Sequence, residues 1–232
     1  MEIKNLYESF TEAIVLQKKL LAILIDPDKF DVNETSVFLR SLPAETTHIF
    51  VGGSTVAMGT TKNLVRNIKL YTSRPVLIFP GDFTQITDAA DGLLFLSLLS
   101  GRNPEYLIGQ QLKAVPLLRK SALEVLSTAY ILIDGGKESE VARISGTTPM
   151  SQENVQQIVD TAKAGVLMGA KLIYLEAGSG AVIPVSEAII FEVKKEIDVP
   201  LIVGGGIRSE AQKQIAYNAG ADMVVMGTVY EK

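Results

Sequence analysis

Three glycine-bearing segments toward the C-terminal end carry the clearest chemistry in this sequence. Tyr174-Leu175-Glu176-Ala177-Gly178-Ser179-Gly180, Gly204-Gly205-Gly206 and Gly227-Thr228 each close a short apolar run. Where side chains are missing, backbone N–H groups can converge on one anion, so the set describes a phosphate cup. The alternative is that these glycines only permit tight turns. No GxGxxG follows the first apolar run, which sets the pattern apart from the dinucleotide fingerprint. Glu176 stands between apolar run and cup. It can accept a hydrogen bond from a substrate hydroxyl and draw off its proton, with Tyr174 orienting the same molecule. A buried carboxylate without such a partner would be costly.

A second group is acidic. Asp26-Pro27-Asp28-Lys29 ends the first apolar run, and Asp26 is the candidate ligand for Mg²⁺, with a diphosphate substrate supplying the remaining oxygens. Asp28 is available instead to cap the following helix. Ser54, in Gly52-Gly53-Ser54-Thr55, offers a hydroxyl to the metal or the diphosphate, or simply caps the next helix. Asp134 is a further strand-end carboxylate that can pair with Lys137 or Arg143. His48 reads as structural, and Arg208 faces either the phosphate or a surface carboxylate.

Composition narrows the chemistry. The 232 residues, 47% hydrophobic and 21% charged, fit a packed protein and not a disordered one. Having no Cys excludes disulfides, a thiolate nucleophile and Cys-ligated zinc or iron–sulfur centres, and a single His excludes a multi-histidine metal site. A net charge of −4 offers no general attraction for polyanions, so nucleic acid is not an expected partner. The start, Met1-Glu2-Ile3-Lys4-Asn5, lacks the basic lead and apolar stretch of a secretion signal. Apolar runs fall well short of the ~20 residues of a spanning helix. A cytoplasmic location without an integral membrane segment is expected.

Eight short apolar segments must position these residues: Leu20 to Asp26, His48 to Gly52, Val76 to Pro80, Leu93 to Leu99, Tyr130 to Asp134, Leu172 to Glu176, Leu201 to Gly204 and Met223 to Gly227. Apolar residues at consecutive positions mark parallel strands covered on both faces. Between them the spacing turns helical. Ser151 can cap a helix carrying Val155, Ile158, Val159, Ala162 and Val166. Pro184 can open the next, with Val185, Ala188, Ile189, Val193 and Ile197 inward. Ser209 and Gln212 suggest a capping box ahead of Ile215, Ala216 and Ala219. The α/β alternation predicts a (β/α)₈ barrel, with a doubly wound open sheet as the alternative. Departures from regularity are an added N-terminal helix over Asn5 to Lys19, burying Leu6, Phe10, Ile14 and Leu16; a short crossover at Gln85 to Asp91; and a helix begun by Asn103 and Pro104 that Pro116 kinks or divides. Only Tyr230-Glu231-Lys232 follows the last strand, too little for an eighth outer helix. Gly135 to Met150 is long for a βα loop and reads as a lid or as a solvated connection.

Together Leu24-Ile25-Asp26-Pro27-Asp28-Lys29, Phe50-Val51-Gly52-Gly53-Ser54, the Tyr174 to Gly180 string and Val203-Gly204-Gly205-Gly206-Ile207-Arg208 resemble the geranylgeranylglyceryl phosphate synthase family, which includes bacterial heptaprenylglyceryl phosphate synthases. The resemblance runs from Leu20 to Gly227. It implies one TIM-barrel prenyltransferase domain over residues 1–232 that joins sn-glycerol 1-phosphate to a prenyl diphosphate with Mg²⁺, forming an ether and releasing pyrophosphate. Matched positions imply Asp26 and Ser54 for magnesium. For glycerol phosphate they imply Tyr174, Leu175, Glu176, Ala177, Gly178, Ser179, Gly180, Gly205, Gly206, Gly227 and Thr228. Asp26 and Glu176 would be catalytic.

Ala22-Ile23-Leu24-Ile25 precedes Asp26 in place of a basic opening, which implies the branch using a C20 donor. Gly-Thr closes the last strand where many relatives have Gly-Asn. Ile78, Phe79, Phe83, Phe95, Leu96 and Tyr106 are the expected walls of a prenyl groove. The resemblance also implies a dimer or hexamer, with transient contact at a membrane surface. A TIM-barrel sugar-phosphate isomerase or aldolase, and a phosphometabolite-binding protein without catalysis, are the rival readings.

Overall fold

The strand and helix alternation closes on itself. A computed structural model describes residues 5–227 and 230. Its eight parallel strands run in sequence order around a closed barrel, with the last paired to the first, which excludes the open sheet. The strands are β1 (Leu20–Ile25), β2 (Thr46–Val51), β3 (Val76–Ile78), β4 (Gly92–Leu98), β5 (Glu124–Leu132), β6 (Leu172–Glu176), β7 (Leu201–Gly204) and β8 (Met223–Met226). Alternate residues part to two layers, as the period of a strand requires. Ala22, Phe50, Leu77, Leu94, Leu132, Tyr174 and Ile202 fill the interior, while Ile23, Ile49, Ile78, Ile131, Leu175 and Val203 pack beneath the helices.

α1 (Leu6–Val15) precedes the barrel and α2 (Thr35–Ser41), α3 (Thr60–Lys69), α4 (Gln110–Leu118), α5 (Glu140–Ser145), α6 (Val155–Leu167), α7 (Glu187–Glu196) and α8 (Glu210–Asn218) lie between strands. The crossover from β3 to β4 holds one 3₁₀ turn, Phe83–Gln85, in keeping with its short sequence. α1 closes the N-terminal end of the barrel. Asn5 and Glu8 form its capping box, the Leu6 and Tyr7 N–H groups donate to the Glu124 carboxylate, and Phe10 is buried with its ring centroid 4.9 Å from that of His48. Leu16, expected inward, is exposed, because the helix ends there and Gln17 turns the chain at φ 53°.

Several boundaries differ from expectation for local reasons. β5 begins at Glu124, six residues before Tyr130, because it pairs with β4 along that length; Ser127 and Thr128 interrupt the apolar run and mask its first half. α6 starts after Asn154; the Ser151 hydroxyl is occupied by the Glu153 N–H. Pro184 lies ahead of α7, which follows Ser186, and Ile190 takes the buried place assigned to Ala188. Ser209 caps α8 through the Gln212 N–H, but Gln212 returns its oxygen to the Arg208 N–H, and Ile215 is exposed. α4 continues past Pro116; the irregular turn is the π-helical Glu105–Gly109 before it. The 135–150 segment is ordered by α5, whose N-cap is Ser139, and Met150 bridges back to Ile133. Among the described residues no helix is long and apolar enough to cross a membrane.

Candidate active site

β6 sends Tyr174 and Glu176 to the inner face and Leu175 to the outer layer. Glu176 is only 6% exposed, and its Oε1 accepts the Gly178 N–H at 2.7 Å. Burial pushes its carboxyl up to about 7, opposed by that N–H and by the Tyr174 hydroxyl. Tyr174 is fully buried. Its hydroxyl adjoins the carboxylate but makes no hydrogen bond of ordinary geometry, so a ligand oxygen would satisfy it.

The β7 glycines first make room for this pair. A Cβ on Gly204 would stand 2.5 Å from Tyr174 Oη and 2.9 Å from Glu176 Oε2, and one on Gly205 only 2.4 Å from Glu176 Oε1. Gly205 and Gly206 also hold φ of 82° and 74°, a region other residues adopt with strain. Ser179, Gly180, Gly205, Gly206 and Gly227 line the cavity that Tyr174 and Glu176 face. The Lys137 ammonium stands beside Gly180, 2.9 Å from where a Cβ would be, and lines the same cavity. Ala177 turns its side chain into the outer core and donates its N–H to the Gly204 carbonyl. Gly178 serves Glu176. Thr228 lies outside the described residues.

Across the cavity, Asp26 follows β1 directly. Its Oδ1 accepts the Asp28 N–H at 3.1 Å, and Oδ2 lies 3.2 Å from Lys29 Nζ. A Cβ on Gly53 would come within 2.6 Å of Oδ1, so a glycine is needed for β2 to approach this carboxylate. Gln85, buried and unmarked by the sequence, holds Gly53 through both its amide oxygen and its amide nitrogen. Ser54 lines the cavity and is no helix cap, since α3 begins at Thr60 after Gly59. Asp28 likewise caps no helix; it accepts the Ala57 N–H. Among the described residues no three His, Asp, Glu or Cys side chains cluster as a metal site. The donors are oxygens, and Asp26 and Ser54 line the same cavity. These residues fit Mg²⁺ as a partner of a diphosphate that completes its ligands.

The cavity holds about 580 Å³. Phe79, Phe83, Phe95, Leu96 and Tyr106 wall it as expected, but Ile78 does not, being one residue out of phase and packed under the helices. Tyr130, which the sequence reading noted only as a strand start, also lines it and pairs in register with Tyr174. A hydroxyl inside an apolar parallel strand was the available signal. Asp134 is exposed and accepts the Gly136 N–H, while Arg143 pairs with Glu140 in its stead. Arg208 donates to the Ala181 carbonyl and lines the cavity beside Gly205 and Gly206, on the side expected for the phosphate. His48 sits at the closed end, where burial pushes its pKa down to about 4.

Comparison with known proteins places the chain in a family. The PcrB family pattern matches residues 13–232. The geranylgeranylglyceryl phosphate synthase of Zunongwangia profunda is 54% identical over 98% of this chain and 97% of its own length. That of Flavobacterium johnsoniae is 50% identical over 98% and 94%. The crystal structure of (S)-3-O-geranylgeranylglyceryl phosphate synthase from Thermoplasma acidophilum, in complex with its substrate sn-glycerol-1-phosphate, superposes with a TM-score of 0.91 at 32% identity, covering 99% of this chain and 93% of that one. Family pattern, relatives and fold converge: the chain belongs to the geranylgeranylglyceryl and heptaprenylglyceryl phosphate synthase (PcrB) family.

Proposed function

We propose that this protein joins the C3 hydroxyl of sn-glycerol 1-phosphate to the prenyl group of a prenyl diphosphate, geranylgeranyl diphosphate, forming an ether and releasing pyrophosphate. One observation carries the reading: a single cavity has Glu176, Tyr174 and the glycine cup at one side, Asp26 and Ser54 at another, and an apolar wall of Phe83, Phe95 and Leu96 beside them. A small phosphorylated alcohol suits the first, a diphosphate the second and a hydrocarbon tail the third. The names of the relatives agree with it.

In this mechanism the phosphate rests against Gly180, Gly205 and Gly206, which leaves the glycerol hydroxyls toward Tyr174 and Glu176. Glu176 accepts the C3 hydroxyl proton as that oxygen attacks the allylic carbon. Its pKa of about 7 suits a base working near neutrality. Asp26 and Ser54 would hold Mg²⁺, which when bound would offset negative charge on the diphosphate. The apolar wall keeps water from the allylic carbon.

We also assign the protein to the cytoplasm, with transient contact at a membrane surface, and to a homo-oligomer, dimer or hexamer; the exposed Ile108, Leu112 and Val115 on one helical stripe support an interface. Prenyl diphosphates of several lengths, each paired with both glycerol phosphate enantiomers and read by product mass, test the reaction. An ether from the sn-1 enantiomer and a C20 donor is expected. Turnover of a sugar phosphate without a prenyl donor would favour the isomerase or aldolase reading, and binding with no product a non-catalytic role.

A further inference from the structure

Phe79 touches both halves of the site, and the mechanism above gives its ring no part. Its backbone is pressed onto the end of β2, since a Cβ on Gly52 would lie 1.8 Å from the Phe79 carbonyl oxygen. Two residues on, Gly81 meets the carbonyls of Gly53 and Ser54, 2.4 and 2.7 Å from its own ideal Cβ. Toward β6 the Phe79 ring stacks on Tyr174, with centroids 5.0 Å apart and planes 11° from parallel. Tyr130 tilts against both rings, at 5.9 Å from Phe79 and 5.3 Å from Tyr174. Both tyrosines are buried, whereas Phe79 is half-buried and lines the cavity. The ring thus stands between the Asp26 and Ser54 side and the Glu176 side, with Phe83 and Phe95 along the same wall.

We propose that Phe79 is a catalytic residue whose ring, backed by Tyr174 and Tyr130, stabilises the positive charge that develops on the allylic carbon. The inference rests on the ether-forming reaction proposed above. In that step the bond from the allylic carbon to the diphosphate oxygen breaks and its electron pair leaves with pyrophosphate. The C3 oxygen forms the new bond to the same carbon, and the hydroxyl proton passes to Glu176. While bond breaking runs ahead of bond making, the carbon is electron-poor. An aromatic face attracts a cation, and more strongly where water is excluded. A carboxylate placed there would be alkylated, and water would hydrolyse the donor; a phenyl ring does neither.

The test replaces Phe79 by phenylalanines bearing one, two and three ring fluorines, which nearly keep its shape while withdrawing electron density from its face. Single-turnover rates at saturating donor and acceptor should fall steadily along the series, by about tenfold or more at three fluorines. Equilibrium binding of glycerol phosphate should stay within about twofold of wild type, since charge on the carbon exists only in the transition state. A role in packing would move neither reading with fluorine number. Phe79→Leu, which keeps an apolar side chain, should lose at least as much rate; if it fails to fold, the fluorinated series decides alone. Active wild type with a flat series overturns the assignment of Phe79 and leaves the reaction standing. Wild type that makes no ether from any donor overturns the reaction and the assignment with it.

Discussion

Glu176→Gln should move stability and catalysis in opposite directions. In the ligand-free protein burial raises the Glu176 carboxyl from 4.5 to about 7. Between those values the unfolded chain has released a proton that the folded chain still holds, so stability falls as pH rises from 4.5 and levels off above 7. At roughly 1.4 kcal/mol for each pH unit, the loss comes to about 3 kcal/mol. Glutamine does not ionise and keeps nearly the same volume. Its oxygen can accept the Gly178 N–H, and its amide can donate to the Tyr174 hydroxyl, which adjoins the carboxylate in the wild type. Relative to wild type, the variant should therefore gain about 2–3 kcal/mol on going from pH 4.5 to pH 8. Its chemical step should fall by about 100-fold, the lower end of what a positioned base contributes. The wild-type single-turnover rate should climb through pH 7, and that of the variant should not. Urea unfolding at both pH values, single-turnover kinetics and equilibrium binding of glycerol phosphate make up the assay. A stability difference that does not change with pH would refute the burial argument. A wild-type rate paired with much weaker glycerol phosphate binding would refute the role as base and leave Glu176 as a positioning residue.

Asp26→Ala should cut turnover by about 100-fold or more, within the several kcal/mol a metal can supply, while calorimetry finds glycerol phosphate binding little changed; turnover within about threefold of wild type at saturating Mg²⁺ would sink the metal assignment. Gly205→Ala would force a Cβ to 2.4 Å from Glu176 Oε1 at φ 82°, and denaturant unfolding should show a larger loss than the ~1 kcal/mol expected of Gly59→Ala, where φ is 85° but nothing lies within 4 Å. Phe10→Ala should destabilise by about 3–5 kcal/mol, since a fully buried ring is removed, yet leave the KM for glycerol phosphate unchanged, because Phe10 packs at the closed end of the barrel.

The sequence disclosed most where one physical constraint acts alone. β6 and β7 were bounded correctly because five and four consecutive buried residues follow Lys171 and Pro200 and end on a glutamate and a glycine. Asp26 was legible because a carboxylate directly follows an unbroken apolar run. Helix starts were less legible. Ser151 has the right residue type for a cap, and whether it caps depends on where the chain has to turn after β5, which is a tertiary matter. Arg208 and Asp134 were ambiguous for the same reason: their partners, the Ala181 carbonyl and the Gly136 N–H, are backbone groups, which nearly every residue type supplies. Gln85 left no mark at all, since a glutamine in a short crossover is ordinary until Gly53 folds against it.

The triple glycine shows why a correct motif can conceal its own cause. Read as a string, Gly204-Gly205-Gly206 offers bare backbone to an anion. In the fold, ideal Cβ positions on Gly204 and Gly205 both fall within 3 Å of the Glu176 carboxylate, so these glycines make room for that side chain as well as for a ligand. The two needs are linked. Glu176 has a raised pKa only because it is enclosed, and it is enclosed because β7 carries no side chains where the two strands meet. Substrate hydroxyls reaching Tyr174 and Glu176 would then find a hydroxyl without a well-formed hydrogen bond and a carboxylate held away from water, and would satisfy both. The barrel can sustain such groups at its open end because the opposite end is filled by Phe10 and Ala22 and sealed by α1. Apolar packing at one end thus stabilises a fold whose other end carries the buried Glu176 and Tyr174.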